Sequence, residues 1–346
     1  MVISMKFFHY LLKAAAIASL TCLPFSHSYA ATAVATHGAL SVKGNQIVGS
    51  HGKPASLAGP SLFWSNTGWG ADRYYNAEVI AYLQKDWNAT IVRAAIGADK
   101  NGGYAADPEG NFAKAERVID AAIAQGIYVI VDWHSHDAEK NPELAVSFFE
   151  KIAAKYGKHP NLIYEIYNEP LQKTDWATQI KPYSEKLIAK IRAIDPDNLI
   201  IVGTQTWSQD VDKAAADPIK GFSNIAYTLH FYAGSHKQGL RDKAQIALDK
   251  GLALMITEWG TVNANGDGGV DKKETELWLE FARKNNLSMC NWALNDKKEG
   301  ASQLKPGTKP DAKWTDANLT ENGLYVKEIV SKWDKVKYSG AEIAQK

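Results

Sequence analysis

Cysteine is almost absent from this chain, which has two, Cys22 and Cys290. Cys22 lies in a leader-like segment, so the mature protein is expected to keep one cysteine and to have no internal disulfide. Its core must therefore carry stability alone. An excess of charge of either sign is missing too. Thirty-nine lysines and arginines face 38 aspartates and glutamates, a net charge of +1, whereas binding phosphate backbones requires a basic surface. Nucleic acid is thus not an expected partner. The N-terminal apolar run is too short for a membrane span. No Gly-x-Gly-x-x-Gly turn follows any candidate strand, and no low-complexity linker announces an appended module.

What is present is an ordinary globular composition, 45% hydrophobic and 22% charged, with length enough for a large core. Eleven tryptophans and fifteen tyrosines exceed what such a core needs, and aromatic faces serve either packing or the binding of sugar rings. Residues 1–30 read as a secretory signal peptide. Lys6 sits in the n-region, Ala14–Leu23 is apolar, and Ser28-Tyr29-Ala30 ends in small-residue style. Ser19-Leu20-Thr21 lacks the leucine that a lipoprotein leader carries at the third position upstream of its cysteine, so export without a lipid anchor is expected. Residues 31–338 form the expected working domain, as a monomer, and Ser339–Lys346 a frayed tail.

The mature chain alternates apolar strands with amphipathic helices. Candidate strands are Ser56–Phe63, Thr90–Ile96, Tyr128–His134, Leu162–Asn168, Leu199–Thr204, Ile225–Tyr232, Leu252–Glu258 and Ser288–Leu294. Helical spacing fills the gaps: Val118, Ile119, Ala122 and Ile123 form one stripe closed by Gly126. Asn141-Pro142 opens another, and Tyr183, Leu187, Ile191 and Ile194 form a third; further helical patterns lie at Asn76–Trp87, Arg241–Lys250, Lys272–Lys284 and Glu321–Trp333. Eight strands alternating with helices predict a single-domain α/β fold, a (β/α)8 TIM barrel. The alternative, a doubly wound sheet, lacks its glycine turn.

Barrel chemistry gathers at the C-terminal strand ends. There the sequence places Arg93, Asp132-Trp133-His134, Asn168-Glu169, Trp207, His230-Phe231-Tyr232, Glu258 and Trp292. Leu162–Pro170 is the most pointed case, a buried strand that stops on an amide, a carboxylate and a proline. A second strand ends likewise in Thr257-Glu258-Trp259-Gly260. One such residue alone reads as a helix cap or as packing; their concentration at strand mouths reads as a site. Asp132 and Glu165 lie deeper and are expected to be tied to Arg93 or a histidine. Two carboxylates facing across a barrel mouth fit hydrolysis of a glycosidic bond, with one as nucleophile and one as general acid then base. Glu258, held by Arg93 and Tyr232, is expected to stay ionised, Glu169 to donate the proton, and Asn168 to hold the sugar 2-hydroxyl.

Ile163-Tyr164-Glu165-Ile166-Tyr167-Asn168-Glu169-Pro170 resembles the signature of glycoside hydrolase family 5, and nearly the whole mature chain resembles the bacterial endo-β-1,4-glucanases (cellulases) of that family. The resemblance implies a retaining (β/α)8 hydrolase without cofactor or metal, acting on a β-1,4-glucan, with Glu169 as acid/base and Glu258 as nucleophile. It carries the family's supporting set onto Arg93, His134, Asn168, His230, Tyr232 and Trp292. Glycone-side contacts are carried onto Trp69, Ala264, Lys297 and Glu299, and an aglycone-side aromatic onto Trp207. Phe63 and Gly97 depart from the pattern, standing where close relatives have a histidine and a tyrosine. β-1,4-Mannan and mixed-linkage glucan remain alternative substrates, and a non-catalytic carbohydrate-binding barrel an alternative function.

Two other motifs compete. His134-Ser135-His136 with Asp132 looks like the His-x-His of metal-dependent barrel hydrolases, without that group's lysine and terminal aspartate. Asn263, Asn265, Asp267, Gly268 and Glu274 fall at calcium-loop spacing, but Asn stands first and a strand precedes. A glycine-rich loop over the site is the expected reading.

Overall fold

Residues 31–334 are described in the structure, a computed structural model; the expected signal peptide and the tail beyond 338 lie outside them. Eight parallel strands close into a barrel: β3 (Ala58–Leu62), β4 (Ile91–Gly97), β5 (Tyr128–His134), β6 (Leu162–Glu165), β7 (Ile200–Val202), β8 (Ile225–Tyr232), β9 (Leu254–Gly260) and β10 (Met289–Leu294). Each pairs with its neighbour in sequence, and β10 pairs with β3 to close the ring. Every residue of these strands is buried, as expected where helices cover one face and the barrel interior the other. The fold is the (β/α)8 barrel the alternation predicts.

Helices form where apolar spacing and end signals agree. Asn76 accepts from the Val79 amide and starts Ala77–Trp87. Asp107 accepts from the Gly110 amide ahead of Pro108, which opens Pro108–Gln125, and Gly126 ends that helix at φ 63°, a left-handed conformation that glycine adopts without penalty. Pro142–Tyr156, Lys181–Arg192, Gln238–Asp249, Lys272–Lys284 and Glu321–Ser331 follow the expected stripes.

Three features differ from the sequence reading. The strand expected over Leu162–Asn168 leaves the sheet after Glu165, so Asn168 and Glu169 sit on an irregular segment, tied by Asn168 N–H to Trp133 O (3.2 Å) and Glu169 N–H to Ser135 O (3.2 Å). A short helix, Ala33–His37, and a hairpin, β1 (Ser41–Lys43) with β2 (Gln46–Val48), precede the barrel. Ala33, Leu40 and Ile47 join Leu57, Ile91, Ile130, Ile163, Ile201, Met255 and Cys290 in one apolar cluster. That segment therefore plugs the N-terminal floor of the barrel, and the strand mouths stay open at the other end.

Candidate active site

Arg93, on β4, organises the barrel mouth from inside. It is wholly buried, a cost met only if its charge is paired. Its guanidinium donates to Glu165 (2.7 Å), Glu258 (3.0 Å) and Asn168 Oδ1 (2.6 Å), and lies 2.9 Å from Asp132. Asp132 in turn holds His134 Nδ1 at 2.5 Å. Burial, helped by the Arg93 charge, pushes the His134 imidazole well below its ordinary pKa, so it stays neutral. Oδ1 of Asn168 is spent on Arg93, and its Nδ2 donors have no partner among the described residues. A buried amide with unused donors at a cleft is a ready hydrogen-bond donor to a ligand.

Glu169 is held from both sides by imidazoles. His230 Nδ1 lies 2.9 Å from Oε1, and His136 Nε2 lies 3.1 Å from Oε2. The state of His230 follows from its far side. Thr257 spends its hydroxyl proton on Glu165 (2.7 Å), so His230 Nε2, 2.9 Å from Thr257 Oγ1, must be the donor there. The remaining proton then lies between His230 Nδ1 and Glu169. Burial lowers the His230 pKa, but the carboxylates of Glu165 and Glu169 outweigh it and lift the group to about 9. Glu169 shows the mirror image: burial raises its pKa, while hydrogen bonds from His136 and His230 carry it down to about 2.

Glu258, at the end of β9, accepts from Tyr232 Oη (2.6 Å) and Arg93 Nη1 (3.0 Å). Burial and the facing charge of Glu169 raise its pKa against the pull of His230, Arg93 and Tyr232. The two carboxyls are thus shifted in directions opposite to those expected from the sequence, Glu169 down and Glu258 up. Two imidazoles within hydrogen-bond reach stabilise the Glu169 anion. One carboxylate oxygen each from Glu169 and Glu258 and one His230 nitrogen lie within 4.8 Å of one another. Among the described residues this is also the one grouping close enough to hold a metal ion.

Aromatic rings line the mouth. Trp292 stacks on His134 (5.0 Å, 2° between planes), and Trp64 meets the same imidazole edge-on at 4.0 Å. Trp64 also lies 5.4 Å from Trp69, and Phe63 lies 5.2 Å from Trp292. Lys297 rests 4.6 Å over the Phe63 ring and pairs with Glu299 at 2.7 Å. On the opposite side Trp207 borders a cavity of about 430 Å³ shared with Glu169, His230, Tyr232, His236 and Ala264. Trp69 and Trp207 are 37% and 39% exposed, the two tryptophans among the exposed large apolar side chains described. An indole left bare at either end of an acidic cleft is suited to a sugar face.

Residues 48–298 match the model of the cellulase family, glycosyl hydrolase family 5. The chain belongs to that family. It is 56% identical over 317 residues to Endoglucanase Z of Dickeya dadantii, across 91% of this chain and 72% of that protein. Identity to an endoglucanase of Clostridium saccharobutylicum is 44%, across 88% of this chain and 68% of the other. Among solved structures, one from Cytophaga hutchinsonii is 50% identical with a TM-score of 0.85, covering 87% of this chain and 97% of that one. The catalytic domain of a Thermobifida fusca endoglucanase, whose structure is known in complex with cellotetraose, is 32% identical with a TM-score of 0.81, covering 86% and 99%. This family 5 member is a glycoside hydrolase, an endoglucanase.

The residues carried over from the family 5 resemblance fall into place unevenly. Arg93, His134, Asn168, Glu169, His230, Tyr232, Glu258 and Trp292 converge on the mouth. Trp69, Lys297 and Glu299 stand along the Phe63 side, while Ala264 borders the cavity of Trp207. Gly97 has a steric cause, since a Cβ there would stand 1.9 Å from Asn66 Oδ1. The metal motif does not converge: His134 Nδ1 faces Asp132 and His136 Nε2 faces Glu169. Nor do the calcium-loop side chains, because Glu274 pairs with Arg241 and the Asp267 carboxylate accepts from the Gly300 amide. That loop instead lies against residues 299–301, as expected of a covering loop, with Ala301 N–H on Gly266 O at 2.8 Å. Trp64, Thr257 and the contact from His136 to Glu169 escaped the sequence reading. Trp64 directly follows a strand end, the one local signal that could have marked it.

Proposed function

We propose that the protein is an exported endo-β-1,4-glucanase that cleaves internal bonds of cellulose or soluble β-glucan with retention, by double displacement. Glu258 is the nucleophile and Glu169 the acid, then the base. The observation that carries this reading is the approach of the two carboxylates within 4.8 Å. Retaining enzymes hold theirs about 5–5.5 Å apart, whereas inverting ones leave roughly 6.5–9.5 Å for a water. Arg93 and Tyr232 aim Glu258 at the anomeric carbon, and the free donors of Asn168 suit a 2-hydroxyl. In the first step the Glu258 oxygen bonds the anomeric carbon while Glu169 protonates the departing oxygen. Water, deprotonated by Glu169, then displaces Glu258. Trp69 and Trp207 extend the cleft to glycone and aglycone sugars, with Ala264, Lys297 and Glu299 as further contacts. The leader at 1–30 supports export, and no helix among the described residues is long and apolar enough to cross a membrane.

Carboxymethylcellulose, mannan and xylan compared as substrates, with the anomeric form of new ends followed by NMR, test the reading. Cleavage of the glucan giving β-anomers first is expected, and Glu258→Ala should abolish it while oligosaccharide affinity stays within about tenfold. First-formed α-anomers would overturn retention, and preferential attack on mannan would overturn the substrate.

A further inference from the structure

His136 belongs to neither the expected site residues nor a metal pair, yet it touches the acid. Its imidazole borders one cavity of about 430 Å³ with Trp64, Asp99, Lys100 and Lys140, and its partner Glu169 borders another of about 430 Å³. The backbone around it is fixed by two ties. Asn168 N–H donates to Trp133 O and Glu169 N–H to Ser135 O, each at 3.2 Å. The β5 and β6 ends are thus cross-linked, and the distance from Nε2 to Glu169 Oε2 is a property of the frame. Trp64 stands edge-on 5.8 Å from the ring and closes its far side.

We propose that His136 is a positioning residue for the acid–base step, pairing with Glu169 Oε2 and storing the proton that Glu169 passes to the leaving oxygen. The proposal rests on the assignment of Glu169 as acid/base. His230 is the poorer store, because it is 1% exposed and its Nε2 proton is committed to Thr257, whereas the His136 side chain is 42% exposed and can exchange protons with solvent. In the first half-reaction the proton moves from His136 Nε2 to Glu169 Oε2 and on to the glycosidic oxygen. That oxygen keeps the electron pair of the broken bond to the anomeric carbon, and Glu258 supplies the pair of the new one. In the second half-reaction water bonds the anomeric carbon, the pair of the ester bond returns to Glu258, and the proton of water passes through Glu169 back to His136. No outside reagent is needed.

Groups facing His136 from each packed element favour its charged form. Glu169 is foremost, with Glu258 from β9 and Asp137 beside it, against burial; together they raise its pKa above 6.5. His134 on β5 is neutral, and Asp99, Lys100 and Lys140 lie around the shared cavity.

The test compares wild type, His136→Gln and His136→Ala on an unsubstituted cello-oligosaccharide and on 2,4-dinitrophenyl cellobioside, whose leaving group needs no proton, with kcat/KM followed across pH. Thermal melts check folding, which an exposed imidazole should leave intact. On the oligosaccharide both variants should lose about 10- to 100-fold, within the usual range for general acid catalysis, and on the aryl glycoside less than about threefold. The wild-type profile should step down above pH 6.5 as His136 loses its proton, and both variants should lack that step. Persistence of the step in His136→Gln, or equal losses on both substrates, would overturn the role. Glu169→Gln is run in parallel. If it shows the leaving-group split and the His136 variants do not, this proposal alone fails; if it too shows none, the acid assignment fails with it.

Discussion

Glu258 takes its character from three close neighbours. Arg93 and Tyr232 hold its charge, while Glu169 and the loss of water work against it, and the balance leaves its pKa above 4.5. The sign for activity follows directly. As pH falls, Glu258 is protonated above the ordinary carboxylate range, and in the nucleophile role proposed above it can then no longer attack, so kcat/KM should decline on the acid side at a pH above 4.5. Tyr232→Phe removes a 2.6 Å hydrogen bond to the anion. Such a bond to a charged group is worth about 1.5–3 kcal/mol, so the acid limb should move up by about one pH unit or more. A limb that stays in place in this variant would mean that another group sets it.

Among the elements, the turn after β7 is the costly one. Thr206, Trp207 and Ser208 all have left-handed backbones, with φ of 60°, 52° and 59°. None is glycine, and a β-branched threonine is especially ill suited there. Strain of this kind costs about 1–3 kcal/mol per residue and persists only where the surroundings enforce it. Trp207 N–H is anchored to Pro170 O at 2.8 Å, and Thr206 Oγ1 to Asp210 at 2.8 Å. The strain presents a bare indole beside the Asn-Glu-Pro segment, to which it is tied through Pro170. Trp207→Gly relieves one left-handed residue and gives up little packing. The melting temperature should therefore rise by about 1.5 °C per kcal/mol released, while KM for longer oligosaccharides rises several-fold. A lower melting temperature measured by calorimetry would show that the turn stores no such strain.

The elements also mark what a linear reading reaches. Period-two and period-3.6 patterns are local, so all eight barrel strands were legible within a few residues, and Lys272–Lys284 and Ile225–Tyr232 to the residue. The end of β6 at Glu165 was not, because Ile166 and Tyr167 stay buried, Ile166 N–H still bonds Ile201 O of β7 at 3.0 Å, and both keep the apolar pattern of a strand. His136 was seen only as half of a His-x-His. Sequence spacing does not say that the two rings aim at different carboxylates.

At the scale of the whole molecule, the barrel separates stability from chemistry. Its floor is closed by the N-terminal segment through Leu40 and Ile47, and its mouth holds the carboxylates. Ile47→Ala removes a buried side chain far from the cleft and should cost about 2–5 kcal/mol in urea unfolding. Its kcat/KM should equal that of wild type at temperatures where both are folded. A catalytic loss at full folding would show that floor and mouth are coupled.

Local periodicity carried the eight barrel strands and the signature around Glu169 carried the family, because both are written in residues close to one another along the chain. Which groups surround the Glu169 carboxyl was settled only by the fold. The partners of Glu169 come from the ends of β5 and β8, joined through space by closure of the barrel. A proton settles according to the charges within a few ångströms of it, and which charges those are is a property of the folded chain.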